Sequence, residues 1–239
     1  MDALRRSRWC LVVCMAAVAL VAACTSGRPR PLHYGSLVAD DRILDYAHPV
    51  ETLKLQNGLL VALVPDERAN LVAVDVRYLV GDIEDPEGKR GLAHVVEHMM
   101  FEQRSGPGEP TTAERLATIA LRHNATTSWD ATHYHTLALA SQLDELLAVE
   151  ASRMRNGCAG LDEATFKHEL AVVAQELTQR GTTELVDVAL GTLYGARHGY
   201  TRRSTTADLA RLTLADVCSF VDAHYGPDRA ILVIAGQIG

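Results

Sequence analysis

The residues most able to do chemistry are His94, Glu97 and His98, in the segment HVVEH at 94–98. On an α-helix, His94 and His98 lie one turn apart on the same face, about 6 Å along the axis, so both imidazoles can bind one zinc ion. Glu97 lies on the same side, where its carboxylate can reach a water at the zinc without being a ligand. A helix carrying solvated His and Glu side chains is the alternative, because the motif is short and the chain has 10 histidines.

A catalytic zinc ion needs a third protein ligand, and Glu176 is the candidate for this position. The sequence predicts a helix over 162–179, on which Glu169 and Glu176 lie two turns apart and share a face. Apolar residues flank that face, and acids beside a core-facing stripe are costly to bury unless they are paired or bound to a metal. Taken alone, these residues favour two solvated acids on an amphipathic helix.

The elements that must position these residues follow an α+β pattern. A hairpin is predicted over 50–64 around the turn signal Asn57-Gly58, and a strand over 71–80 from its alternating apolar residues. A helix is predicted over 91–101. Further predicted elements are a helix over 111–123 capped by Thr111, strand residues over 124–140, helices over 142–154, 184–194 and 213–226, and a strand over 229–235. The expected fold is a largely antiparallel sheet covered by helices.

Residues 1–23 have the pattern of an export signal. Three arginines precede an uncharged, apolar stretch over 9–23, which is short for a membrane span and fits a secretory signal. The stretch ends in Val-Ala-Ala before Cys24, which resembles the lipobox of bacterial lipoproteins, whose cysteine is lipidated. An ordinary signal peptide cut after Ala-x-Ala, with Cys24 incidental, is the alternative.

The lipobox resemblance implies a lipid-anchored protein of the bacterial cell envelope. Thr25 instead of Asp implies the periplasmic side of the outer membrane. Residues 24–45 are predicted to be a tether and 46–239 the folded domain. In that oxidising compartment Cys158 and Cys218 can pair, and separate buried thiols are the alternative.

The composition excludes several classes of protein. The chain has 239 residues, of which 48% are hydrophobic and 22% charged, which excludes collagen, long disorder and a polytopic membrane protein. The net charge of −7 argues against nucleic acid as a partner.

Three motifs resemble those of the pitrilysin family of zinc peptidases and follow one another along the chain in the family's order. This family includes insulin-degrading enzyme and the mitochondrial processing peptidase. GLAHVVEHMMF at 91–101 resembles the family's active-site helix, with the H-x-x-E-H order of inverzincins. ELAVVAQE at 169–176 resembles its downstream pattern E-x-x-V-x-x-x-E, and NATTSWDATHY at 124–134 its substrate-binding strand. The resemblance runs over 50–239.

The resemblance implies a role for each matching residue. One zinc ion per chain is expected on His94, His98 and Glu176, with Glu97 as the general base that activates water for peptide hydrolysis. Glu169 is implied to contact and orient one of the zinc ligands. Asn124 and Ala125 are implied to lie on an edge strand that pairs with an extended peptide. The other histidines, His133, His135, His168, His198 and His224, are predicted to be non-ligands.

The expected function is that of a zinc-dependent endopeptidase acting on extended peptides or small proteins in the envelope. The family uses two homologous halves, and the chain resembles only the N-terminal catalytic half without its last helix and strands. A homodimer or a second pitrilysin-like chain is therefore expected to complete the site. Two alternatives stay open: a weakly active or non-enzymatic envelope lipoprotein that binds peptides or a partner subunit, and a purely structural zinc ion.

Overall fold

The computed structural model describes residues 49–179, 184–195 and 197–238. The predicted signal peptide, Cys24 and the tether lie outside them. Within the described residues there are six strands, β1 (Glu51–Lys54), β2 (Leu60–Pro65), β3 (Leu71–Tyr78), β4 (Ala120–Thr127), β5 (Thr132–Leu139) and β6 (Ala230–Gly236). The helices are α1 (Leu92–Glu102), α2 (Thr112–Ile119), α3 (Leu143–Asn156), α4 (Glu163–Gln179), α5 (Glu184–Tyr194), α6 (Thr206–Leu209) and α7 (Leu214–His224).

The strands form one sheet in the order β1-β2-β6-β3-β5-β4. Each neighbouring pair is antiparallel except β2 and β6, which run parallel. This confirms the predicted α+β class and the largely antiparallel sheet. The order also places β4 at one edge of the sheet, where one side of its backbone is not paired with another strand of the described chain.

The predicted hairpin over 50–64 is present as β1 and β2, but its connection is longer than a two-residue turn. It spans residues 55–59, and the Leu55 amide donates to the Leu59 carbonyl at 2.8 Å. Gly58 has a φ of +96°, which a residue with a Cβ rarely adopts. The Asn-Gly signal therefore predicted the position of the turn correctly, but the connection between the strands is longer than the two residues it predicted.

The helices pack against one face of the sheet. In β3 the alternate residues Val72, Val74, Val76 and Tyr78 are at most 2% exposed, as the period-two pattern predicts. They belong to two apolar clusters that also contain buried side chains of α1, α3 and α7. The intervening residues of β3 are partly or fully exposed on the opposite face.

The predicted helix over 111–123 is wrong at its C-terminal end. Its start is confirmed, because the Thr111 hydroxyl accepts a hydrogen bond from the Glu114 amide at 3.1 Å. The helix ends at Ile119, however, and residues 120–127 form β4. Ala120, Leu121 and Arg122 favour helix locally, but pairing with β5 outweighs that preference, with a register irregularity between Ala120 and Arg122.

Cys158 and Cys218 form a disulfide, which decides between the two alternatives left open by the sequence. It joins the segment after α3 to α7.

In the described residues, no helix is long and apolar enough to cross a membrane.

Candidate metal centre

The N-terminus of α1 is built by Gly91 and Asp85. Gly91 has a φ of +90°, and an added Cβ would lie 2.7 Å from the Leu209 Cδ2 atom, so the position requires glycine. The buried Asp85 carboxylate accepts hydrogen bonds from the Gly91 amide at 2.6 Å and the Ala93 amide at 2.8 Å. Asp85 thereby satisfies amides that have no partner within the helix, immediately before His94.

Burial raises the pKa of Asp85 to about 7, although the hydrogen bonds from the helix amides oppose this shift. The carboxyl that fixes the start of α1 is thus about half protonated near pH 7, whereas an exposed aspartate is fully ionised there.

His94 and His98 lie one turn apart on α1, as the sequence predicts. Their ring centroids are 5.0 Å apart and the ring planes are inclined by 81°. The two side chains are 13% and 17% exposed, so both reach the surface, while the residues that flank them on the helix are buried.

Helix α4 brings two acids to these imidazoles. The Glu176 carboxylate lies 3.4 Å from His94 Nε2 and 3.7 Å from His98 Nε2. The Glu169 Oε2 atom lies 3.0 Å from His98 Nδ1, which is hydrogen-bonding distance. The two-turn spacing on α4 therefore places both acids against α1, one on each side of the His98 ring.

Glu97 is the most buried member of the group, with 8% of its surface exposed. Thr127 of β4 donates a hydrogen bond of 2.5 Å from its hydroxyl to Glu97 Oε2. Burial raises the pKa of Glu97, and the Thr127 hydrogen bond and the His98 ring oppose this shift. A carboxylate with a raised pKa is a better proton acceptor near neutral pH than an exposed one.

The donor atoms suit a zinc ion. Two imidazole nitrogens and one carboxylate form a three-ligand set of the kind that leaves a position open for water or substrate. Glu97 lies close enough to be a fourth donor, because one carboxylate oxygen lies within 4.8 Å of ligand atoms of both histidines. Glu169 is placed to orient His98 through the nitrogen opposite the one that faces Glu176.

These residues line a cavity of about 340 Å³ between α1, α4 and the edge strand β4. Asn124 and Ala125 lie on this edge strand, as the resemblance implies. The cavity is lined by His94, Glu97, His98, Phe101, Asn124, Ala125, Thr126, Thr127 and Glu176.

Sequence reasoning missed the roles of two residues at this site. Thr127 is part of the strand motif, but its contact with Glu97 depends on how β4 packs against α1. Asp85 lies in the acidic loop before α1, six residues before Gly91. Its hydrogen bonds to the first amides of α1 depend on how this loop folds back onto the helix.

Two imidazoles and a carboxylate at a cavity are the donor set found in one class of catalytic zinc sites. The sequence model described as insulinase (peptidase family M16) matches residues 60–199, which is more than half of the chain. The chain therefore belongs to this family, and the predicted resemblance is confirmed.

Relatives within the family include named zinc proteases. The zinc protease PqqE of Helicobacter pylori is 30% identical over 197 residues, covering 79% of this chain and 43% of that protein. The probable mitochondrial-processing peptidase subunit beta of Arabidopsis thaliana is 26% identical over 220 residues, covering 83% of this chain and 41% of that protein. The chain thus spans less than half the length of these relatives.

Solved structures agree on the fold. A protease from Helicobacter pylori superimposes with a TM-score of 0.71 at 29% identity, covering 81% of this chain and 47% of the other. The periplasmic protease PqqL from Escherichia coli superimposes with a TM-score of 0.69 at 21% identity, covering 81% of this chain and 23% of the other.

Proposed function

We propose that this chain is the zinc-binding module of an M16 endopeptidase that hydrolyses peptide bonds in extended peptides or small proteins. The observation that carries the proposal is the convergence of His94, His98 and Glu176 beside the buried Glu97. A solvated arrangement would leave these side chains apart. Here α1 and α4 hold the Glu176 carboxylate within 3.7 Å of the Nε2 atoms of both imidazoles.

The proposed roles follow from position and charge. A zinc ion on His94, His98 and Glu176 would supply a Lewis acid that makes water more acidic and stabilises negative charge on the peptide carbonyl oxygen. Glu97 accepts the proton of the attacking water and delivers it to the leaving amide nitrogen. The Thr127 hydrogen bond holds the Glu97 carboxylate in place for both transfers.

The edge strand β4 is the proposed binding surface for the peptide. Asn124 and Ala125 lie on this strand and line the same cavity as Glu97. An extended peptide that adds to the sheet edge would be held by main-chain hydrogen bonds, with little dependence on its side chains. This arrangement brings a scissile peptide bond to the donor group.

We place the protein in the bacterial envelope, attached by a lipid on Cys24 to the periplasmic side of the outer membrane. The proposal rests on the signal pattern of residues 1–23. The Cys158–Cys218 disulfide supports it, because such bonds persist in oxidising compartments and are rare in the cytosol.

A second M16-like module, on another chain or in a second copy of this one, is proposed to complete the cleft. The support is the length comparison, since named peptidases of the family that match this chain are more than twice as long as the matched part. The second candidate function is the alternative left open by the sequence, in which the chain binds peptides or a partner subunit without cleaving them.

The test measures zinc content and cleavage of quenched fluorescent peptides on the same untagged, purified sample. We expect about one zinc ion at the M16 site and cleavage that a chelator abolishes. The substitution Glu97→Gln should leave zinc bound at that site while lowering kcat by about 10²–10⁴-fold, the usual contribution of a general base. Glu102→Gln at the end of the same helix is the matched control and should retain activity.

The outcomes separate the candidate functions. Hydrolysis that survives Glu97→Gln would contradict the assigned base. Loss of zinc from the Glu97→Gln chain would instead indicate a closed structural site in which Glu97 is a ligand. Bound zinc without cleavage, even after addition of a second M16-like module, would favour the non-enzymatic alternative.

A further inference from the structure

The face of the sheet opposite the helices carries a second cluster of metal-ligating side chains. Asp75 of β3 and His135 of β5 are direct partners in the antiparallel register. His133 lies two residues before His135, so strand alternation places it on the same face. Sequence alone gave no reason to count these histidines as ligands, because only the pairing of β3 with β5 brings Asp75 to them.

The side chains approach each other closely. His133 Nδ1 lies 3.1 Å from Asp75 Oδ2, and the two imidazole rings have centroids 5.5 Å apart. One ligand atom from each of the three residues lies within 4.8 Å of the other two. In a tetrahedral zinc site with bonds of 2.0–2.1 Å, ligand atoms are about 3.3 Å apart. Modest side-chain rotation would therefore bring all three to one ion.

The side chains also have room for that rotation. The Asp75 and His133 side chains are 32% and 27% exposed. In the part of the chain that the structure describes, the Nδ1 atom of His135 is shielded from solvent and has no hydrogen-bond partner. No described hydrogen bond therefore holds that side of the His135 ring in competition with a metal ion.

We propose that Asp75, His133 and His135 form a second metal site, distinct from the M16 site, for a divalent transition ion of the zinc type. Two imidazoles and one carboxylate favour zinc, nickel or copper over magnesium or calcium, which prefer all-oxygen ligands. The remaining positions of the ion face solvent. An ion held there connects β3 directly to β5.

The surrounding charge makes this the weaker of the two sites. Arg77 is the register partner of His133 and is exposed on the same face, so its guanidinium repels a bound cation. The M16 site is more enclosed, and a carboxylate of Glu169 already orients His98 there. Zinc is therefore expected to fill the M16 site first and the Asp75 site second.

The test uses zinc alone and needs no peptidase activity. The untagged chain carrying His94→Ala and His98→Ala, with the M16 site disabled, is made metal-free and dialysed against Zn²⁺ at neutral pH. We expect about one bound zinc ion. Adding His133→Ala and His135→Ala should remove it, while adding His168→Ala and His224→Ala, a matched change of two histidines elsewhere, should not.

Two further measurements guard against misfolding of the quadruple variant. In the His94→Ala, His98→Ala background, Asp75→Asn should weaken zinc binding at least tenfold and keep the circular dichroism spectrum. NMR spectra of the imidazole nitrogens should show zinc-dependent shifts for His133 and His135. The proposal is overturned if the disabled chain binds no zinc, or if it binds zinc equally well after the His133 and His135 changes. Either result leaves the proposed peptidase site untested by this experiment and intact.

Discussion

The Glu169 carboxylate lies 3.0 Å from the Nδ1 atom of His98, on the side of the ring opposite Glu176. A hydrogen bond at Nδ1 fixes both the orientation of the imidazole and the tautomer that leaves Nε2 unprotonated. The paired acids of α4 therefore act on one histidine from two sides. Glu176 is placed to share a metal ion with His98, and Glu169 fixes the orientation of the His98 ring.

Replacing Glu169 with Gln is expected to weaken zinc binding at the M16 site by about 10–100-fold, the usual effect of losing such a supporting contact. A neutral amide can still accept the hydrogen bond from His98 Nδ1, but it raises the basicity of the other ring nitrogen less than a carboxylate does. Competition with a chromogenic chelator measures the affinity, and cleavage should recover in excess zinc because the ligands are intact.

Glu163→Gln, an exposed change in the first turn of the same helix, is the control and should leave zinc affinity unchanged. If cleavage by the Glu169→Gln chain stayed low even at saturating zinc, the residue would have a role in the reaction itself.

The buried Asp85 is expected to make stability depend on pH. Its folded pKa of about 7 lies above the unfolded value of 3.8, so the folded chain holds an extra proton between these values. The free energy of unfolding contributed by Asp85 is therefore fully present below about pH 4 and is lost as pH rises through 7. The steepest loss is about 1.4 kcal/mol per pH unit.

Asp85→Asn should flatten this dependence, because an amide does not titrate. Urea unfolding at several pH values between 4 and 8 gives the free energy for both chains, and the difference between them isolates Asp85. Glu87→Gln in the same loop, where the side chain is exposed, should follow the original curve. A difference that stays constant over the whole range would show that Asp85 remains ionised when folded.

Arg153 anchors the C-terminal part of α1 from the neighbouring helix. It is 1% exposed, pairs with Glu150 at 3.0 Å and donates a hydrogen bond of 3.0 Å to the Met100 carbonyl. Its guanidinium carbon also lies 4.0 Å from the centroid of the Tyr134 ring. One buried cation thus contacts α1, α3 and β5 together.

Arg153→Met should lower the free energy of unfolding by about 3–5 kcal/mol, since it leaves the Glu150 carboxylate buried without its partner. Replacing both residues, as Arg153→Met with Glu150→Leu, should cost less than the single change. Arg155→Met, exposed on the same helix, should stay within about 0.5 kcal/mol of the original. Equal losses for Arg153 and Arg155 in denaturant titrations would refute the anchoring role.

The local part of the site could be predicted from the sequence. The four-residue spacing of His94 and His98 and the seven-residue spacing of Glu169 and Glu176 each define one helix face, and helix geometry does not change with context. Strand β3 was predictable for the same reason, because its alternation reflects one buried face.

The parts that depend on tertiary pairing could not be predicted. Residues 120–123 favour helix locally and become strand because β5 pairs with them. Asp85, Thr127 and Arg153 reach α1 from separate elements, and no local pattern records such a contact. The cysteine pair was undecided for the same reason, since Cys158 and Cys218 are 60 residues apart.

The Cys158–Cys218 disulfide is expected to contribute about 4 kcal/mol to the free energy of unfolding, because closing a loop of 60 residues restricts the unfolded chain. Cys158 also packs against the core, so Cys→Ala variants would lose contacts as well as the bond. The cleaner comparison is the same chain, oxidised and then reduced by dithiothreitol, in matched urea titrations. The double Cys→Ala variant serves as the control, since its stability should not respond to reductant. If reduction of the unsubstituted chain left the unfolding midpoint unchanged, the bond would be absent or without effect, and the proposed oxidising location would lose its structural support.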